Sequence, residues 1–292
     1  MALAACDQVY GLDGREEPIV DGGGNGDGGG DGSNPLPDGS SSACVFAEPS
    51  ESGVIASAWF PDAALMQAAR LNGQGFVEVG RAAGKTVDML VEGDYSPAFV
   101  MLPMNYSAMF HPSLSGDGLQ LVGSLVHDDQ VTYRLGVATR NGQEFASPGL
   151  VELRDANNAT WTIQVSDTPS GPTAVTPRRM VISSSQRITE FVQDVATWRV
   201  RSTALATSFG LGVVSYATLT SDGLGLVLVG TTTTNPSAQK VLLATRGDID
   251  GSFGSPVEIF RPQGIGVASA YLTADCSKLY FVQQGEVRWI AR

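Results

Sequence analysis

A Leu, a small hydroxyl residue and an Asp, followed by an alternating apolar run, recur in this chain at a fixed interval. The three clearest copies are HPSLSGDGLQLVGS from His111, YATLTSDGLGLVLVG from Tyr216 and SAYLTADCSKLYFV from Ser269. Asp117, Asp222 and Asp275 occupy one offset, separated by 105 and then 53 residues, the first gap being about twice the second. A degenerate copy therefore belongs near residue 169, where PTAVTPRRMVISSS from Pro172 has lost the Asp-Gly pair. SAWFPDAALMQAAR from Ser57 places Asp62 one further interval upstream. A second landmark runs in phase: GVATR ends at Arg140, LLATR at Arg246 and RWIAR at Arg292, with DVATW reaching Trp198 and FVEVGR reaching Arg81 as weaker matches. Tandem units of this size bury their apolar faces by stacking on one another, as in solenoids, propellers or arrays.

Each unit reads as short strands. In the best copy, YATLT is a strand and Ser221-Asp222-Gly223 a tight turn, followed by LGLVLVG, KVLLATR and PVEIF. Asp suits the turn because its carboxylate bonds nearby backbone, and Gly because it accepts positive φ. Gly118 and Gly223 follow Asp117 and Asp222 in this role. FGSPVEI from Phe253 and FASPGLVEL from Phe145 mark the same outer strand in two units. Four short antiparallel strands in about fifty residues make a propeller blade.

The LSxDG turn, the apolar strand after it and the ATR strand resemble the TolB-like, WD-like propeller repeat. The resemblance is clearest over residues 111–153 and 216–292. It implies an all-β fold, a single β-propeller. It implies no activity, because one fold hosts many functions. The count from Asp62 gives five four-stranded blades, or six if the segment 81–111 hides a degenerate one. AALMQAARL has the propensity of a short helix, but its phase in the repeat argues for strand.

The chain stops at Arg292, so the last unit lacks its outer strand. FAEPSESGVIASAWF from Phe46 resembles that missing strand and is expected to complete the blade. Such a closure removes open sheet edges. Cys44 precedes the borrowed strand and Cys276 lies in the blade it completes. A Cys44–Cys276 disulfide would lock the ring; the alternative is two thiols, with Cys276 standing where other units have Gly.

Residues 1–43 carry eight acids against Arg15, a net of −7 out of a total of −12. Without a Lys/Arg cluster, nucleic acid is not an expected partner. DGGGNGDGGGDGSNPLPDGSSS cannot bury apolar surface and reads as a flexible tether. Its Gly/Asp pattern is also similar to calcium-binding repeats, but the large apolar residue of each turn is missing. LAAC before it resembles the lipobox of bacterial lipoproteins, with Cys6 as the lipidated residue. The basic and apolar segments of a signal peptide do not precede it here, so an upstream start is expected. The chain thus divides into a signal remnant (1–5), a tether (6–43) and a propeller domain (44–292). Its expected place is the bacterial cell envelope, as a monomer held to the membrane through lipid alone.

Little points to catalysis. No nucleophile elbow, zinc helix motif or phosphate loop is present, and no cofactor is implied. His111 falls before a repeat turn. His127, Asp128 and Asp129 form one isolated cluster without the separated ligand pairs of a zinc site. Asp117, Asp222 and Asp275 repeat at one blade position, which assigns them to turns. Five-bladed propellers include glycoside hydrolases and lyases whose carboxylates gather at the channel; Asp94, Glu190 and Asp194 are the acids such a site would draw on here. The expected function is a non-catalytic binding or scaffold module for an envelope protein or polysaccharide. The alternative is a carbohydrate-active enzyme.

Overall fold

The structure is a computed structural model. It describes residues 44–46, 51–55, 70–72, 75–79, 86–91, 94–141, 144–235, 238–262, 266–273, 275–283 and 286–292. Cys6, the tether, Asp62, Arg81 and residues 64–69 lie outside the described residues.

The described residues form an all-β propeller. After β1 (Glu51–Ile55), the first blade consists of β2 (Arg70–Asn72), β3 (Gly75–Val79), β4 (Thr86–Val91) and β5 (Asp94–Phe99). The second is β6 (Tyr106–Leu114), β7 (Gln120–His127), β8 (Tyr133–Asn141) and β10 (Gly149–Arg154), with the two-residue β9 (Glu144–Phe145) on its β8 edge. After β11 (Thr160–Trp161), the third is β12 (Thr168–Pro169), β13 (Arg179–Ser183), β14 (Arg187–Asp194) and β15 (Thr197–Leu205). The fourth is β16 (Val213–Leu219), β17 (Gly225–Thr231), β18 (Gln239–Thr245) and β19 (Val257–Phe260). The fifth joins β20 (Val267–Leu272), β21 (Lys278–Gln283) and β22 (Glu286–Ala291) to β1, whose residues Glu51–Ile55 pair antiparallel with Ala291–Val287. In the first four blades the strands run in chain order from the inner strand outward, the fifth ends in β1, and the pairing of β10 with β15 joins the second and third blades into one ten-stranded sheet. β2 contacts both β6 and β20, so the ring of inner strands closes.

Blade number is thus five among the described residues. The 81–111 segment that allowed a sixth holds β4, β5 and the start of β6. The first unit is out of phase with its landmark. FVEV lies in β3, the second strand of its blade, whereas GVATR lies in β8, a third strand. The third blade also departs, because its β14–β15 hairpin turns at Val195, inside DVATW, with φ 53°. The third strand there ends earlier than the ATR spacing predicts.

The second strands β7 and β17 are buried on both faces, which explains their near-continuous apolar runs. On β17, Val227 and Val229 pack with the fifth blade's Val267, Leu272 and Phe281. Leu226 and Leu228 point the other way, to Val181 and Ile188 of the third blade. The side-chain period of two along a strand makes this division. Cys44 and Phe46 join the core between the fourth and fifth blades, and the Phe46 amide donates to the Ile259 carbonyl at 2.7 Å.

The structure joins Cys44 to Cys276 across 232 positions of sequence. Cys276 has φ 57°, in the left-handed region, as do Gly118 at 67° and Gly223 at 74°. It therefore fills the glycine place of its turn and makes the bond as well. These two readings were alternatives in the sequence and coincide in space.

Candidate functional site

The inner-to-second-strand turns gather at one end of the ring. In the second, fourth and fifth blades, a hydroxyl residue is tied to the start of the second strand. Ser115 Oγ accepts from the Gln120 amide at 2.8 Å, Thr220 Oγ1 from Gly225 at 2.8 Å and Thr273 Oγ1 from Lys278 at 3.0 Å. The Asp follows: Asp117 accepts from the Leu119 amide at 3.1 Å, Asp222 from Leu224 at 3.0 Å and Asp275 from Ser277 at 3.0 Å. Thr173 plays the hydroxyl part in the third blade, where its Oγ1 accepts from the Arg179 amide at 3.0 Å. That loop is one residue longer, has Val175 where the others have Asp, and carries Arg178 just before β13. Arg178 reaches back to Asp117, with Nη1 at 3.3 Å from Oδ1. Partial burial pushes the Asp117 carboxyl up, but Arg178, the Ser115 hydroxyl and the Leu119 amide outweigh it and hold its pKa below the ordinary value.

These turns crowd the axis. The Gly116 amide donates to the Pro172 carbonyl at 2.8 Å and the Ala174 amide to the Ser221 carbonyl at 2.9 Å. A Cβ on Gly116 would stand 2.9 Å from Ser221 Cβ, so the second and fourth blades touch at this end. No strand that lines the axis, β2, β6, β12, β16 or β20, contains an Asp or Glu.

The three acids considered for a channel do not meet. Glu190, on β14, is buried and bound between two buried guanidinium groups. Its Oε1 lies 3.2 Å from Arg179 Nη1 and 2.9 Å from Arg246 Nη2, and its Oε2 lies 3.1 Å from Arg246 Nη1. Arg246 also donates to the Gly223 carbonyl at 2.9 Å and stacks over Phe253 at 4.3 Å. This node ties the third blade to the fourth, and it gives the ATR arginine and the FGSP phenylalanine a shared purpose. Asp194 sits exposed at the outer hairpin, paired with Arg199 at 2.9 Å. Asp94 begins β5, the outer strand of the first blade.

Nor does the histidine cluster converge. Both carboxylate oxygens of Asp129 serve its own turn, accepting from the Val131 and Thr132 amides at 2.9 and 2.8 Å and from the Thr132 hydroxyl at 2.7 Å. The Thr132 hydroxyl is the largest of the influences that hold its pKa down to about 2. His127 Nδ1 lies 3.4 Å from Asp129, and its ring meets Tyr106 edge-on at 5.5 Å. His111 lies within β6 beside a bulge, with φ 52°. The described residues contain no group of three side chains able to hold a metal.

Asp167 was not singled out by the sequence. It is buried just before β12, and burial raises its carboxyl pKa despite the Gln164 amide that donates to it at 2.7 Å. No repeat or motif marks it.

A cleft of about 390 Å³ opens on the rim, where the second blade meets the third. Its origin is topological. β10 pairs with β8 only through Gly149–Val151, then turns to pair with β11 and, in parallel, with β15 through Glu152–Arg154. The strands diverge and leave a wedge. Leu135, Leu153 and Ile163 are buried at its base, with Tyr106, Tyr133, Trp161 and Arg134 on its walls. Trp161 is fixed by edge-on contact with Phe191 at 5.2 Å. The volume is in the range of small-ligand sites, and aromatic walls with a few polar groups are their usual lining.

No family model and no curated protein matches this chain. Solved structures give distant likenesses. A candidate 6-phosphogluconolactonase from Bacteroides uniformis is 12% identical with a TM-score of 0.41, over 73% of this chain and 62% of that one. TolB from Acinetobacter baumannii is 10% identical with a TM-score of 0.42, over 77% and 54%. A candidate glycoside hydrolase from Bacteroides ovatus is 13% identical with a TM-score of 0.49, over 77% and 85%. The chain thus spans under two thirds of the first two proteins. The propeller assignment rests on blade topology, and these likenesses add nothing about activity. No helix among the described residues is long and apolar enough to cross a membrane.

Proposed function

We propose that this chain is a non-catalytic binding module of the bacterial cell envelope, lipid-anchored through Cys6, whose ligand seats in the rim cleft. One observation carries the reading: the strands lining the axis contain no carboxylate, while the aromatic side chains gather at the cleft. Glycoside hydrolysis needs two carboxylates flanking one bond, and the acids nearest that description are engaged in an interblade ion pair, an outer hairpin and an outer strand.

The test is incubation of the protein with a panel of neutral and acidic polysaccharides. No new reducing or unsaturated ends are expected. Product that disappears in Asp167→Asn would establish an enzyme and overturn the reading. The anchor is tested separately by intact mass after expression from the native upstream region. The expected species begins at Cys6 and carries the mass of an attached lipid; an unlipidated chain retaining Met1 would remove both the anchor and the envelope address.

A further inference from the structure

We propose that the rim cleft recognises an acidic saccharide, with Arg134 holding the carboxylate of a uronic acid residue while the aromatic walls stack on its ring. This rests on the binding reading above and adds the ligand class.

The cation is the first observation. Arg134 is exposed, lines the cleft and makes no hydrogen bond or ion pair with the described residues. Among the described residues, several other guanidinium groups hold a carboxylate: Arg154 pairs with Glu152, Arg178 with Asp117, Arg199 with Asp194 and Arg261 with Glu258. Glu152 lines the same cleft, but its carboxylate is held by Arg154, which leaves Arg134 positioned for an acid from outside. Its planar pair of N–H donors matches a carboxylate in bidentate fashion.

The walls are the second observation. A pyranose ring presents C–H bonds on its faces and hydroxyls around its edge. The electron-rich face of an aromatic ring attracts the C–H face, and Tyr106, Tyr133 and Trp161 supply three such rings around an apolar base. Thr160 and Thr162 line the same cleft and offer hydroxyl groups to the ring substituents. A purely apolar ligand would leave these polar groups and Arg134 unpaired, at a cost in affinity.

The test is calorimetric titration of the full chain with tetragalacturonate and, as a neutral control, cellotetraose. Tetragalacturonate is expected to bind at least tenfold more tightly, with a change in tryptophan emission. Arg134→Gln is expected to abolish that preference without changing the melting temperature, since Arg134 has no internal partner. Tyr133→Phe serves as a second variant and should retain the preference for the acid. Equal binding of the two sugars, or a preference that survives Arg134→Gln, overturns the acidic specificity and leaves a saccharide-binding module. Absence of binding to either sugar overturns the ligand class. Turnover in the polysaccharide panel is the separate result that removes the non-catalytic reading.

Discussion

Replacing Cys44 by Ser and Cys276 by Gly is expected to lower stability by roughly 5 kcal/mol, the entropic limit for so long a closed loop. The bond spans 232 positions and ties the segment preceding β1 to the turn between β20 and β21. Its loss leaves β1 held to the ring by its own strand pairing and the Phe46 amide bond to Ile259. For a domain of this size the melting temperature should fall by on the order of 10 °C. Gly is the informative replacement because Cys276 has φ 57°. Cys276→Ser in the same background should cost about 1 kcal/mol more, because Ser keeps the left-handed strain that Gly escapes. Equal thermal midpoints for the wild type and the Ser/Gly variant would show that strand pairing alone closes the ring.

Glu190→Ala is expected to cost about 3–5 kcal/mol, because it strands buried guanidinium charges. Arg179 and Arg246 both face this carboxylate, and both are almost fully buried. Asp194→Ala, four residues away on the same strand, should cost no more than about 1 kcal/mol because its pair with Arg199 is exposed. Chemical denaturation of the two variants side by side makes the comparison. Equal losses would mean that the arginines find other acids; Arg179 already touches Asp250 at 2.5 Å. The contrast bears on function, since it separates an acid that holds two blades together from an acid available for chemistry.

Much of the candidate site was not legible in the sequence. Tyr106, Tyr133, Arg134 and Trp161 come from the start of β6, the start of β8 and β11. Nothing in their spacing links them, and Trp161 lies between recognised repeat copies. They meet because β10 leaves β8 for β11 and β15, a pairing that has no counterpart among the described residues of the other blades and no motif. Asp167 was invisible for a similar reason: its burial comes from the ring around it. Glu190 was visible as an acid, but its facing was not, and its partners lie 11 and 56 residues away.

The repeat itself was open to reading because its causes are local. An Asp accepts from the amide two residues on, a hydroxyl binds the amide five residues on, and Gly accepts positive φ; all of these act within one turn. Strand alternation is likewise a property of neighbouring residues. Those local rules determined the blade, its turns and the outer-strand motif that completes the last blade from the start of the chain. The blade phase of FVEV, the position of the hairpin at Val195, the interblade arginine node and the cleft were decided in the tertiary structure. Each depends on which side chains from separate blades meet across the ring, and such distances are not encoded in spacing along the chain.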